Sequence, residues 1–344
     1  MISITPVGRR TIDVEKLLLM LGVVLIHSAF FSDFSNISRT GIDIMQWGSH
    51  WLTGCCVPIF FILSGFLFFN NVETFTAATY LSKLRSRVRT LLVPYILWNL
   101  IAATLFILKA KYLGYNGYDI VVDGKIQAWP FIRGFWNMTD GYPYEFSFWF
   151  ILRLIGFVIL SPVAWFMASR KWLLAIFFAA MVNFDHGLNG LEYFALGAAF
   201  ARADMSPAIP SGRIMLPVFL FSTFVLFFIP ENTLPFEVWI IVRNLLGAVA
   251  FLVIARFITR NRMLDNPAGH SLVSAAFIIY AMHSLYATIV RKTIGHVFGV
   301  ESLAGCVATY LATWVVLVCA SWFVYIVMHR LCPKILSVLT GGRA

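Results

Sequence analysis

Long apolar stretches separated by short polar or basic connections recur from one end of the chain to the other. They fall near residues 14–31, 50–70, 90–109, 147–168, 172–184, 190–203, 214–229, 236–258, 271–290 and 303–328. Most approach the roughly 20 residues that carry an α-helix across a bilayer, although the fifth and sixth are short. The pattern predicts an all-α, polytopic membrane helix bundle of about ten transmembrane helices. Pro58, Pro94, Pro162 and Pro217 sit near span ends, so no pair of interrupted spans is expected.

Composition agrees with this reading. Of 344 residues, 60% are hydrophobic and 12% charged, against about 25% charged in soluble domains. The net charge of +10 is spread around the spans rather than over a soluble face, which argues against a nucleic-acid partner. With the amino terminus in the cytoplasm, most Lys and Arg fall in inner connections, among them Arg9, Arg10, Arg85, Arg87, Arg89, Arg170, Arg256 and Arg260. Both termini are therefore expected to be cytoplasmic. Arg9 and Arg10 before an apolar run mimic a signal peptide, but Glu15 and Lys16 intrude and no small-residue cleavage site follows.

The cysteines at 55, 56, 306, 319 and 332 lie in or beside apolar segments without a CxxC, so they read as thiols with no metal to bind. One domain over 1–344 is expected, with a long outer connection at 110–146. That connection is rich in Tyr, Trp, Gly and Asp, unlike a flexible linker. Its rings can stack on sugars while carboxylates and amides bind hydroxyls, which makes Trp136, Tyr142 and Glu145 candidates for substrate binding. The alternative is an interfacial aromatic belt, to which Trp129 and Trp136 would belong.

Ionisable side chains inside spans are costly and point to function. Lys16 and His27 are separated by eleven residues on the first span, which places both on one helix face about 16 Å apart along the axis. His27 can take up a proton near neutral pH, or else be hydrogen-bonded to a neighbouring helix. Lys16 can serve a site or snorkel beside Asp13. Arg153 and Arg243 each follow the outer end of a span by about 10 Å. They suit an anionic group or charge developing on a carbonyl oxygen, or they cap backbone carbonyls. Glu145, Asp185 and Glu192 are possible partners. Lys83, Arg85, Arg87 and Arg89, just before the third span, suit a polyphosphate or anionic lipid headgroups, or only set topology. Asp185 and His186 read as a solvated loop, and His283 as a core histidine or a catalytic one. An exporter or flippase of a polysaccharide or lipid-linked sugar is the competing reading, because buried Arg and His also line translocation paths.

Six fragments in order give the chain a resemblance to the acyltransferase-3 family of integral membrane acyltransferases. They are Lys16 with His27, "VPIFFILSGFLFF" at 57–69, "RSRVRTLLVPYILWN" at 85–99, "FWFILRLIGFVILSP" at 148–162, "EYFALGAAF" at 192–200 and "FIIYAMHSL" at 277–285. The resemblance implies transfer of an acyl group, usually acetyl, from cytoplasmic acyl-coenzyme A to a hydroxyl of a cell-envelope carbohydrate. It implies a multi-pass protein of the bacterial cytoplasmic membrane. On this reading Lys16, Arg85, Arg87 and Arg89 meet the coenzyme's phosphates. His27 is the general base or a transient acyl carrier, and Arg153 stabilises the oxyanion or positions the donor. The chain departs from the family's Arg-x-x-Arg at the third span, because its arginines stand at alternate positions 85, 87 and 89.

Overall fold

The computed structural model describes residues 5–114, 119–181, 189–203 and 211–342. It is a helix bundle with one small hairpin. Helix α1 (Pro6–His27) opens on the Thr5 hydroxyl, which accepts from the Gly8 N–H at 3.1 Å, with Pro6 at the first helical position. Helix α2 (Arg39–Gln46) runs through a π-helical turn (Trp47–Leu52) into α3 (Cys56–Phe69). Helix α4 (Ala77–Arg87) continues through a second π turn (Val88–Leu92) into α5 (Val93–Tyr112). The outer connection carries strands β1 (Val121–Val122) and β2 (Lys125–Ile126) and helix α6 (Ala128–Asn137).

A 3-10 turn (Phe146–Phe148) leads into α7 (Trp149–Ile159), followed by α8 (Ser161–Ala168), α9 (Lys171–Met181) and α10 (Leu191–Arg202). Then come α11 (Gly212–Val225), α12 (Leu234–Arg260), α13 (Pro267–Ser274), α14 (Ala276–Phe298), α15 (Leu303–Leu331) and α16 (Pro333–Leu339).

Among the described residues four helices are long and apolar enough to cross a membrane, or up to six if each of two bent pairs is one span. That is fewer than the expected ten. Segments such as α9, α10 and α11 are helical but only 11, 12 and 14 residues long. The expectation of uninterrupted spans is also corrected. The chain bends by 70° between the Phe146–Ile159 and Ser161–Ala168 segments, and by 62° between α13 and α14. At the first break Pro162 stands where its missing N–H and its ring favour starting a new helix over continuing the old one.

Helix α1 packs against α3, α12, α14 and α15, so its residues reach several helices at once. The tightest pairing is between α3 and α10. A Cβ on Gly65 would lie 2.0 Å from the Phe194 carbonyl oxygen, and one on Gly197 would lie 2.0 Å from that of Ile62. Two backbones touch there because neither glycine has a side chain, which is how helices associate where lipid removes the hydrophobic drive.

The outer connection is folded. Asp123–Gly124 turns the hairpin with φ of 49° and 74°, and Asp140–Gly141 makes a second turn with φ of 50° and 83°. Both pairs supply the left-handed backbone that tight hairpin turns need. Tyr144 ties the segment to α6 through its hydroxyl, which donates to the Phe131 carbonyl at 2.9 Å.

Candidate functional site

His27 is the last residue of α1, and two other rings meet its imidazole. The His283 ring lies 4.9 Å away between centroids, tilted by 46°, and Phe146 meets His27 edge-on at 5.8 Å. Tyr142 lies 4.4 Å beyond, on Phe146. The end of the outer connection therefore closes over His27, while α14 supplies the second imidazole.

The backbone of this turn is held by charge. Arg291 donates from Nη1 to the His27 carbonyl at 2.9 Å, and its Nε pairs with Asp33 at 2.5 Å. A cation on the last carbonyls of a helix is favourable, because those groups lack intrahelical partners.

Beside the histidines lies a buried polar network. The Glu145 carboxylate is 1% exposed and accepts from Ser147 Oγ at 2.8 Å and from Ser284 Oγ. Its backbone N–H donates to Asn99 Oδ1 at 3.0 Å, and the Tyr280 hydroxyl donates to the Ser147 carbonyl at 2.6 Å. Glu145 lies just before the span, where burial raises its carboxyl to about 7 although both serine hydroxyls pull it down. This group pins the outer connection to α5 and α14 within one turn of His283.

A cavity of about 440 Å³ runs towards this place from the other end of the bundle and ends one turn short of His283, at Tyr280. At one end it is lined by Asp13, Lys16, Phe68 and Arg87, and its wall is apolar, with Leu63, Leu67, Leu154 and Phe277. The four helices agree on its direction. Met20 on α1, Phe60 on α3, Phe150 on α7 and Tyr280 on α14 are the lining residues furthest from the charged end. Tyr280 is one turn from His283, so the cavity points at the imidazole pair.

The structure divides the cations expected to meet phosphate. Lys16 and Arg87 line the cavity; Lys16 pairs with Asp13 at 3.0 Å, and the Arg87 guanidinium lies 5.5 Å from the Phe68 ring. Lys83, one turn before Arg87, sits over the same ring at 5.6 Å. Arg85 and Arg89 are exposed and do not line it. Residues at i and i+4 share a helix face, so 83 and 87 turn inward together while 85 turns away.

Arg153 lies in another place. It caps the Trp149 ring at 4.7 Å, donates to the Asn189 carbonyl at 3.5 Å, and lines a second cavity of about 360 Å³ with Glu192, Tyr193 and Asn244. Arg243 is buried and gives Nη1 to the carbonyls of His50 and Trp51 at 3.2 and 3.0 Å, in the π turn before α3. A Cβ on Gly54 would sit 2.1 Å from that His50 oxygen, so glycine leaves the room for this contact. Trp136 is exposed on α6 against Trp129 at 6.0 Å. Asp185 and His186 lie outside the described residues.

Sequence reasoning did not select Ser147, Ser284, Tyr280, Asp33 or Arg291 for the site. The only sign of them in the sequence is the fragment around Tyr280 and His283. Among the described residues no group of three or more His, Cys, Asp or Glu is placed to hold a metal ion.

Comparison with known proteins gives one finding. The acyltransferase-3 family model, described as an acyltransferase domain, matches residues 9–328 of the 344. No curated protein and no solved structure matches the chain. The match covers α1 with Lys16 and His27, the cavity, and α14 with His283. The chain belongs to the acyltransferase-3 family and is a membrane acyltransferase.

Proposed function

We propose that the protein moves an acyl group, most simply acetyl, from cytoplasmic acyl-coenzyme A to a hydroxyl of a cell-envelope carbohydrate, at the bacterial cytoplasmic membrane. The carrying observation is the cavity that starts at Lys16 and Arg87 and points at His27 and His283. Its charged end suits the coenzyme's phosphates, and its apolar wall suits the thinner pantetheine arm. A thioester at its far end comes to the imidazole pair. The acceptor approaches from the side of Tyr142 and Phe146, whose rings suit a sugar face. His27 is the general base that takes the acceptor's hydroxyl proton.

The test uses purified protein in nanodiscs with acetyl-coenzyme A, wild type beside His27→Ala, following free thiol. Release that depends on His27 supports the reading. Absence of coenzyme A binding and of turnover with envelope glycans supplied would sink it. The two bent spans favour a second reading, passage of a lipid-linked sugar through the bundle, since broken helices line many translocation sites. On that reading His27→Ala changes glycan export with no thiol released by either protein.

A further inference from the structure

The structure fixes the protonation pattern of one of the two facing imidazoles. His283 Nδ1 lies 2.6 Å from the Tyr280 carbonyl oxygen, which can only accept, so Nδ1 carries a proton and, in the neutral ring, Nε2 keeps its lone pair. That Nε2 is buried with no hydrogen-bond partner among the described residues, and the residue is 0% exposed. A buried acceptor without a donor is costly unless a reacting group uses it. The His27 ring is its neighbour at 4.9 Å.

The two rings also have different neighbours. Tyr280, one turn before His283, lines the end of the cavity, so a donor entering from Lys16 and Arg87 comes up α14 to within one turn of His283. Phe146 and Tyr142 lie on the His27 side, where the outer connection comes in.

We propose that His283 is a catalytic residue that returns the proton to the leaving thiolate; this rests on the thioester-donor reading above. The acceptor hydroxyl oxygen bonds to the thioester carbonyl carbon while His27 takes the hydroxyl proton. The adduct collapses, the C–S bond breaks, and its electron pair leaves on sulfur. His27 passes the proton to Nε2 of His283, and His283 gives it to sulfur. Both rings finish neutral, as they began, and the products are an ester and a free thiol. Nδ1 keeps its proton throughout and donates it to the Tyr280 carbonyl, so Nε2 is the nitrogen that exchanges.

The experiment varies the leaving group. Wild type, His27→Ala and His283→Gln are placed in nanodiscs with octyl glucoside as the hydroxyl-bearing probe. The donors are acetyl-coenzyme A, whose alkyl thiolate needs a proton, and an acetyl ester of thionitrobenzoate, whose thiolate leaves without one. His283→Gln places an amide of similar reach there, which can hydrogen-bond but cannot take up and pass on a proton. It should lose about 10²-fold or more in kcat with acetyl-coenzyme A at unchanged KM, while the aryl thioester rate stays near wild type. His27→Ala should lose both donors. Should glutamine not fit the site, His283→Asn should show the same split. Unchanged turnover of acetyl-coenzyme A by His283→Gln, or equal loss with both donors, overturns the relay. If wild type releases thiol from neither donor in a His27-dependent way, the donor reading fails and the relay with it.

Discussion

Arg291 grips the backbone of His27: its guanidinium reaches the carbonyl that ends α1 at 2.9 Å, and Asp33 holds that guanidinium in turn. The grip is on the main chain, so the imidazole stays unencumbered while the turn beneath it is fixed. Arg291→Gln should therefore leave coenzyme A affinity unchanged and lower kcat by roughly 10²-fold, the scale of a misplacement of about 1 Å. Arg291→Lys should recover part of it. Steady-state kinetics beside a coenzyme A binding isotherm decide, and a change confined to binding would contradict the placement.

The cations before the third span should separate by helix face. Arg87→Ala should raise the KM for acetyl-coenzyme A about tenfold, near 1.4 kcal/mol, the scale of one charge-assisted contact. Arg85→Ala and Arg89→Ala, both exposed, should change it less than about twofold. A larger effect at Arg85 than at Arg87 would show that the charged mouth of the cavity is not where phosphates bind.

Backbone contact between α3 and α10 leaves no room for a methyl group. Gly197→Ala should destabilise the bundle by about 1–3 kcal/mol, the usual cost of overpacking. Gly156→Ala, whose Cβ meets nothing within 4 Å, should be nearly silent. Thermal unfolding in one detergent, followed by tryptophan fluorescence, gives the comparison.

The Glu145 carboxyl titrates near 7 in the folded protein against an ordinary value of 4.5, raised by burial. The folded state thus holds a proton that the unfolded chain has lost between those pH values. Stability from this group is complete below pH about 4.5 and is lost as pH rises through 7, by up to about 3 kcal/mol. The apparent Tm of wild type should fall from pH 5 to 8 more steeply than that of Glu145→Gln. Parallel curves would show that Glu145 is already ionised in the fold.

The all-α membrane class and the shared face of Lys16 and His27 were readable along the chain, because each depends on spacing within one helix. Helix period could also have told Arg87 from Arg85, had the four cations been placed on one helix rather than read as a cluster. The bend at Pro162 had its marker in the sequence. The bend after Ser274 had none, since no proline or glycine stands between Ser274 and Ala276. The meeting of His27 with His283, and of Glu145 with Ser284, brings together residues far apart in the chain. No local pattern encodes such contacts; they follow from how α1, α7 and α14 pack. Arg243 shows the converse: a charge in a span drew attention as a possible reagent, and the fold uses its Nη1 on the carbonyls of a π turn.

The two Asp-Gly turns give the outer connection a boundary of its own. Most residues between them are exposed or half-buried, with Gly134 the buried one, while the few residues after the second turn lead back to the bundle and end at Phe146. Exposed residues such as Lys125, Ile126 and Trp129 line neither the 440 Å³ cavity nor the His27 ring. Drift at Tyr142 or Phe146 alters the roof over His27 without disturbing the floor. On the proposed reading, one scaffold could thus keep its donor side unchanged while its choice of acceptor is rewritten in a handful of positions.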